Sequence, residues 1–167
     1  MSIADISVRW VSLWYGDSPH IELHWWCLDE AGIHMTGRSN RVLWHLSDLT
    51  GQRRERLMPL GMRIRQAAGA VLSEVDPNGP ADIAAILRID LIRKDGGSVG
   101  INIERWIDDP EFRSSLIIEE QEAGQGFWLN YRDAVPPAKG EAVRARIVEW
   151  LKEFDTIARA IRVTRII

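Results

Sequence analysis

The strongest constraint in this sequence is a pair of alternating segments on either side of the turn KDGGS at residues 94–98. Every second residue is apolar in both segments: Leu87, Ile89 and Leu91 before the turn, and Val99, Ile101 and Ile103 after it. A period of two places apolar side chains on one face of a strand and polar side chains on the other. The pattern therefore predicts an antiparallel hairpin with one face on a core and one in water.

Similar patterns predict further strands, which are bounded by turn-forming residues. They cover residues 6–15, 21–28, 33–36, 41–46, 116–120 and 127–131. DEAG at residues 29–32 predicts a type I turn with Gly32 in the left-handed conformation. GRSN at residues 37–40 predicts another turn, unless the strand over 41–46 continues the third strand. In the first strand, one face is expected to carry Ile6, Val8, Trp10 and Trp14.

Two helices are predicted. Because proline suits the first turn of a helix, the first helix is expected to begin at Pro59 and to run to Val75, with a short separate helix over residues 52–58. DPNGP at residues 76–80 ends it. After VPPAKG, one apolar stripe at helical spacing predicts the second helix: Val143, Ile147, Trp150, Leu151, Phe154, Ile157 and Ile161. The expected fold class is α+β, an antiparallel β-sheet of hairpins packed with two main helices, in a single domain over residues 1–167.

Composition indicates a globular protein that needs no disulfide. The 167 residues are enough to bury a real core, and most of the eight tryptophans are expected in it. Cys27 is the only cysteine, which excludes an internal disulfide and gives no sign of an oxidising compartment. The start MSIADISVRW lacks the basic and apolar regions of a signal peptide, and no apolar run is long enough to span a bilayer. A cytoplasmic protein is therefore expected.

All four histidines lie close together in the sequence, which raises the question of a metal site. On one strand, His20 and His24 share a face but stand about 13 Å apart, whereas each ligand nitrogen must lie about 2 Å from a metal. A three-residue loop places His34 across from Leu28, again about 13 Å from His24, and an even loop turns it to the other face. His45 can approach one of the others, but one pair is not a metal site. No metal and no cofactor are expected.

The motifs that usually indicate catalysis do not occur in this sequence. There is no glycine-flanked nucleophilic serine, no paired Cys-x-x-Cys and no His-Glu-x-x-His. GGSVG and GQGFW do not connect a strand to a helix, so they are expected to be hairpin turns rather than phosphate-binding loops. Cys27 lies in mid-strand beside Trp26, which favours a buried structural thiol over a nucleophile. The chain is therefore not expected to be an enzyme.

Acidic residues are concentrated between residues 104 and 122, although the net charge of the whole chain is only -3. Acidic loops around an aromatic residue can form a protein interface, because the charge steers a basic partner and the aromatic side chain anchors it. The alternative is a set of solvated loops with aromatic residues in the core. The candidate partner-binding residues are Glu104, Trp106, Asp108, Asp109, Glu111, Glu119, Glu120 and Glu122.

Arginines are concentrated in a different segment, residues 38–65, which contains seven arginines and only two acidic residues, Asp48 and Glu55. They suggest an alternative function, the binding of nucleic acid or of a phosphoryl ligand. The acidic balance of the whole chain and the single nearby aromatic residue, Trp44, favour instead solvated arginines that pair with acids. The candidate anion-binding residues are Arg38, Arg41, Arg53, Arg54 and Arg56.

In its general features the chain resembles the small cytoplasmic immunity proteins that bacteria pair with secreted toxins. The resemblance lies in the α+β pattern, the lack of catalytic motifs and the acidic loops RWIDDPEF and IIEEQE. It is a resemblance to this class and covers no family motif. It implies a tight inhibitory complex with a cognate toxin, such as a nuclease whose basic cleft the acidic loops would mask. Both a monomer and a homodimer are compatible with the sequence.

Overall fold

A computed structural model describes residues 5–75, 83–107 and 109–166. They form eight strands and two long helices. The strands are β1 (Asp5–Trp14), β2 (His20–Leu28), β3 (His34–His45), β4 (Ile86–Arg93), β5 (Val99–Ile107), β6 (Asp109–Glu120), β7 (Phe127–Leu129) and β8 (Asp133–Ala134), and the helices are α1 (Gly51–Val75) and α2 (Pro137–Ile166). Single 3₁₀ turns occur at Leu46–Asp48 and Ile83–Ala85. The predicted α+β class is confirmed.

All strands belong to one antiparallel sheet with the order β3-β2-β1-β4-β5-β6-β7-β8. Strands that are neighbours in the sheet are consecutive in the sequence, with one exception, the pair of β1 and β4. The chain reaches β4 from β3, at the edge of the sheet, through α1. The predicted hairpin of β4 and β5 is confirmed, and Gly96 and Gly97 in its turn have φ angles of 94° and 92°. Gly32 also has the predicted positive φ, at 77°.

Both helices pack on one face of the sheet. Leu57, Leu60 and Ile64 of α1 belong to the same buried cluster as the inward side chains of the strands. The predicted apolar stripe of α2 lies entirely in this cluster. Neither of the two helices has an apolar stretch of the kind that could cross a membrane within the part of the chain that the structure describes. The opposite face of the sheet, which we call the outer face, is left free of both helices.

The expected burial of most tryptophans was wrong. Only Trp25 and Trp150 are buried, and the other six are partly or largely exposed. Two of the six, Trp10 and Trp14, were assigned to the face that carries Ile6 and Val8. They lie instead on the outer face, since a bulge reverses the alternation of β1 between Val8 and Trp10.

This bulge is held from the helix side of the sheet. β1 pairs with β4 only from Trp10 onward, so the backbone of Val8 has no strand partner on that side. The Val8 N–H donates to Asp155 Oδ1 of α2 at 2.8 Å, and the Val8 carbonyl accepts from Arg93 Nη1 at 2.9 Å. Arg93 and Asp155 also form an ion pair with N–O distances of 3.1 Å. These contacts satisfy the backbone groups that the bulge frees.

Of the two alternatives for residues 37–40, the continuous strand is confirmed: β3 pairs with β2 through a register shift, in which Ser39 lies opposite Trp26 and His34 opposite Leu28. The predicted start of α1 was wrong. Pro59 does not begin α1 but lies inside it. The proline removes one backbone hydrogen bond, and the burial of Leu57 and Leu60 on either side holds the helix together. The predicted turn at 76–80 lies outside the described residues.

Strand β6 begins earlier than predicted, and β7 ends earlier. β6 begins at Asp109, whereas the alternating pattern predicts a strand only over residues 116–120. β7 ends at Leu129 because Asn130 and Tyr131 adopt the left-handed conformation, with φ angles of 50° and 63°. They begin the three-residue connection to β8, in which the Arg132 N–H donates to the Leu129 carbonyl at 3.1 Å.

Candidate functional site

The outer face carries three rows of side chains that run across the strands. Residues directly opposite each other in an antiparallel pair point to the same face. The first row is His45, His20, Trp14, Arg88 and Glu104; the middle row is Leu43, Glu22, Ser12, Asp90 and Asn102; the third row is Arg41, His24, Trp10 and Ile92. Each row therefore joins side chains from at least four strands.

The first row is a continuous series of ring and charge contacts. His20 stacks on Trp14 with ring centroids 5.1 Å apart, and the His45 ring lies 5.6 Å from that of His20. The Arg88 guanidinium carbon lies 4.8 Å from the centroid of the Trp14 ring. Arg88 then pairs with Glu104, with 3.0 Å between Nη2 and Oε2. These contacts fix the orientation of the Trp14 ring on the outer face.

The middle row contains a buried carboxylate, that of Asp90, which is 6% exposed. Ser12 Oγ donates to Asp90 Oδ1, Asn102 Nδ2 donates to Oδ2 at 3.2 Å, and Arg88 Nε lies 3.1 Å from Oδ2. Ser12 and Asn102 each donate a hydrogen bond to one oxygen, and Arg88 adds a charge contact, so Asp90 organises the sheet surface and does not present an available base. Ser12 is buried as well, which keeps its hydroxyl from a substrate.

The third row places a tryptophan where a partner could reach it. Trp10 is 39% exposed and stacks on His24, with centroids 4.9 Å apart and planes 16° from parallel. His24 Nε2 lies 3.1 Å from Glu22 Oε1, and Arg41 Nε lies 2.6 Å from the same oxygen. Leu43, in the middle row, is similarly exposed. Trp10 is thus an exposed aromatic side chain on a support with fixed partners.

The structure distributes the predicted acidic residues over several environments. Glu104 is buried in the first row, and Trp106 lies two residues further along β5, partly exposed. Glu119 pairs with Lys94 and lies opposite Gly100, which continues the third row. Glu122 is exposed in the turn between β6 and β7. Asp108 lies outside the described residues, as do the side chains of Asp109 and Glu111.

Glu120 differs from the other acids because its side chain is turned into the protein and is only 1% exposed. Its carboxylate accepts hydrogen bonds from the N–H groups of Val99 and Gly124, each at 3.0 Å, and forms an ion pair with Arg144 of α2. Such a carboxylate holds the turn and the helix together. Glu104 and Glu120 therefore do not offer exposed charge to a partner in this structure.

The predicted arginines do not form one site. Arg41 lies on the outer face with Glu22, whereas Arg53 and Arg56 belong to α1 and line a cavity of about 240 Å³ between α1 and α2. Arg53 lies over the Trp44 ring at 5.3 Å, and Arg54 Nη1 donates to the Leu46 carbonyl at 3.4 Å. The side chain of Arg38 lies outside the described residues.

Among the described residues, no three His, Cys, Asp or Glu side chains converge as a metal ion would require. His20 and His45 are neighbours, and His34 lies opposite Leu28 as the three-residue loop predicts. Cys27 is a buried free thiol, and its sulfur accepts a hydrogen bond from Asn40 Nδ2 at 3.3 Å.

Comparison with known proteins gives no match, whether with protein-family models, with curated proteins or with solved structures.

Proposed function

We propose that this chain is a protein-binding domain that inhibits a basic partner, and that the partner docks on the outer face of the sheet. The observation that carries the proposal is the exposed Trp10 on its preorganised row, on the same face of the sheet as the similarly exposed Leu43. Tryptophan and arginine are the residues most enriched where binding energy is concentrated. Side chains that are already fixed lose little conformational entropy on binding, which favours affinity.

A basic partner is favoured by the exposed carboxylate of Glu122, which lies in the turn that adjoins the outer face. Glu119 lies on the outer face itself, in its ion pair with Lys94. Acidic groups around an aromatic anchor increase the association rate with a basic partner. The class resemblance to immunity proteins extends the proposal: the partner is a toxin, such as a nuclease, which the chain neutralises in the cytoplasm without catalysis.

The proposal is tested by capture from cells of the native host with the tagged chain, followed by high-salt washes and native mass spectrometry. The test variant is Trp10→Glu, which puts a charge on the outer face. The matched control is Thr156→Glu, because Thr156 is an exposed residue of α2, the helix that packs on the opposite face of the sheet. Support requires a stoichiometric basic protein that the wild type and Thr156→Glu retain and that Trp10→Glu loses.

Inhibition is tested separately by expressing the captured protein in a sensitive host. Growth should be restored by the wild-type chain and by Thr156→Glu, and not by Trp10→Glu. A partner that Trp10→Glu still binds and neutralises would exclude the outer face. Co-purification of nucleic acid that salt removes would instead favour the arginines at the start of α1.

A further inference from the structure

A cavity with a volume of about 550 Å³ lies between the β6–β7 turn and the first turns of α2. This volume is within the range of roughly 300–1,000 Å³ that is usual for ligand sites. Phe127 and Trp128 line it from β7, and Glu141 and Arg144 from α2. Trp128 is the cross-strand neighbour of Glu119, so the cavity adjoins the outer face.

The charged groups of the cavity leave an uncompensated negative charge. Arg144 and Glu120 line the cavity and neutralise each other in the ion pair described above. Glu141 is exposed, and its side chain has no ion pair or hydrogen bond with the residues that the structure describes. A cationic group in the cavity would therefore find an available carboxylate, and an anion would be repelled by it.

The cavity also lies near the beginning of α2, where backbone N–H groups commonly bind anions. Two observations argue against an anion here. Pro137, which lines the cavity, has no N–H, and the Gly140 N–H is bonded to the Pro136 carbonyl at 2.9 Å. This wall therefore offers no free backbone donor from either residue, and the side-chain charge decides the preference.

We infer that the cavity receives a lysine or arginine side chain of the bound partner. Its aliphatic stem would pack against Phe127 and Trp128, and its charged end would meet Glu141. Glu122 is a second exposed carboxylate, in the same turn as the lining residues Gly124 and Gly126, although it does not itself line the cavity. The inference rests on the proposed function, because it names a recognition feature of the same basic partner.

The first experiment uses N-butylguanidinium as the probe and N-butylurea, a neutral molecule of the same shape, as its control. Binding to the full chain is followed by the shifts of backbone amide and tryptophan indole signals in NMR spectra. A small fragment is expected to bind with a Kd on the order of 1–10 mM. N-butylurea should bind at least about tenfold more weakly, because it lacks the charge.

Two variants locate the site. Glu141→Gln should weaken N-butylguanidinium binding by about fivefold or more, since it removes the charge and keeps the shape. The control is Glu149→Gln, an exposed glutamate of α2 that does not line the cavity, and it should bind as the wild type does. Equal binding of the two probes, no saturable shift, or full binding by Glu141→Gln would overturn the inference.

The outcome is separable from that of the proposed function. If Trp10→Glu abolishes capture of a basic partner while Glu141→Gln leaves its affinity unchanged, the cavity inference fails and the outer-face proposal stands. If N-butylguanidinium binds through Glu141 but no basic partner is captured, the proposed function fails and only the cation site remains. Both proposals are supported together when Glu141→Gln also weakens the captured complex by about fivefold to tenfold, as the loss of one interfacial charge contact would.

Discussion

Trp14 and His20 face each other across the β1–β2 hairpin, with ring centroids 5.1 Å apart and ring planes 16° from parallel. Stacked cross-strand rings stabilise a sheet by more than their separate burial. A double-mutant cycle of Trp14→Ala and His20→Ala should therefore give a coupling free energy of about 0.5–1.5 kcal/mol. Urea unfolding of the wild type, the two single variants and the double variant measures this coupling.

His45 provides the control for this cycle. Its ring contacts that of His20 at a tilt of 52°, and it lies one strand further from Trp14. The coupling between Trp14→Ala and His45→Ala should be smaller than that between Trp14→Ala and His20→Ala, because Trp14 and His45 meet only through His20. If the coupling between Trp14 and His20 is no larger than this, the stacking adds nothing to stability.

The ion pair of Asp155 and Arg93 should be one of the most sensitive sites in the fold. Asp155→Ala removes the acceptor of the Val8 N–H and leaves Arg93 partly buried without its carboxylate. We expect the free energy of unfolding to fall by about 3–5 kcal/mol, as is typical when one member of a buried pair is removed. Thermal and urea unfolding measure the loss.

The matched control is Glu153→Ala, which breaks the exposed pair with Arg63 and should cost less than about 1 kcal/mol. Equal effects of the two variants would contradict this account of the bulge.

This ion pair also explains why the face of Trp10 was predicted wrongly. Alternation along β1 gives the correct inward residues up to Val8, but the single residue inserted at the bulge changes the face to which every later side chain points. The groups that hold the bulge come from β4 and α2, and Asp155 is 147 residues from Val8 in the sequence. Local patterns contain no information about such a contact, whereas the β4–β5 hairpin and the α2 stripe depend on local patterns alone.

The outer-face contacts were partly accessible from the sequence. In an antiparallel hairpin the two residue numbers of each facing pair add up to the same total. The pairs Trp10–His24 and Trp14–His20 have the same total and so belong to one register. The hairpin register would therefore have predicted both stacks. The burial of Glu104 and Glu120 could not be predicted in this way, because their partners Arg88 and Arg144 come from other elements of the fold.

Stability should depend on pH through Tyr15. Its hydroxyl donates to the Gly61 carbonyl at 2.7 Å, and burial raises the pKa of Tyr15, with only partial opposition from the Arg65 guanidinium. Because the pKa is higher in the folded state, the neutral Tyr15 hydroxyl contributes fully to the free energy of unfolding below the unfolded pKa of about 10. This contribution is lost as the pH rises above that value. Between pH 9 and pH 11 the wild type should lose about 1 kcal/mol more than Tyr15→Phe. Urea unfolding at both pH values tests this, and parallel losses in the two proteins would contradict it.

Tyr131 is held in a backbone conformation that suits glycine. Its φ is 63°, it follows Asn130 in the left-handed region, and its side chain is 65% exposed. A side chain in this region costs roughly 1–2 kcal/mol, and glycine avoids this cost at a smaller entropic penalty. Tyr131→Gly should therefore increase the free energy of unfolding by about 0.5–1 kcal/mol, although it deletes an aromatic ring.

The matched variant for this turn is Tyr131→Ala, which deletes the same ring but keeps the Cβ atom and hence the strain. Its free energy of unfolding should differ from that of the wild type by less than about 0.5 kcal/mol, because an exposed ring contributes little packing. Urea unfolding of the three proteins separates the two effects. If glycine is no more stabilising than alanine, the left-handed backbone at Tyr131 carries no cost. If both variants are strongly destabilised, the ring packs on the protein in a way that its exposure does not indicate.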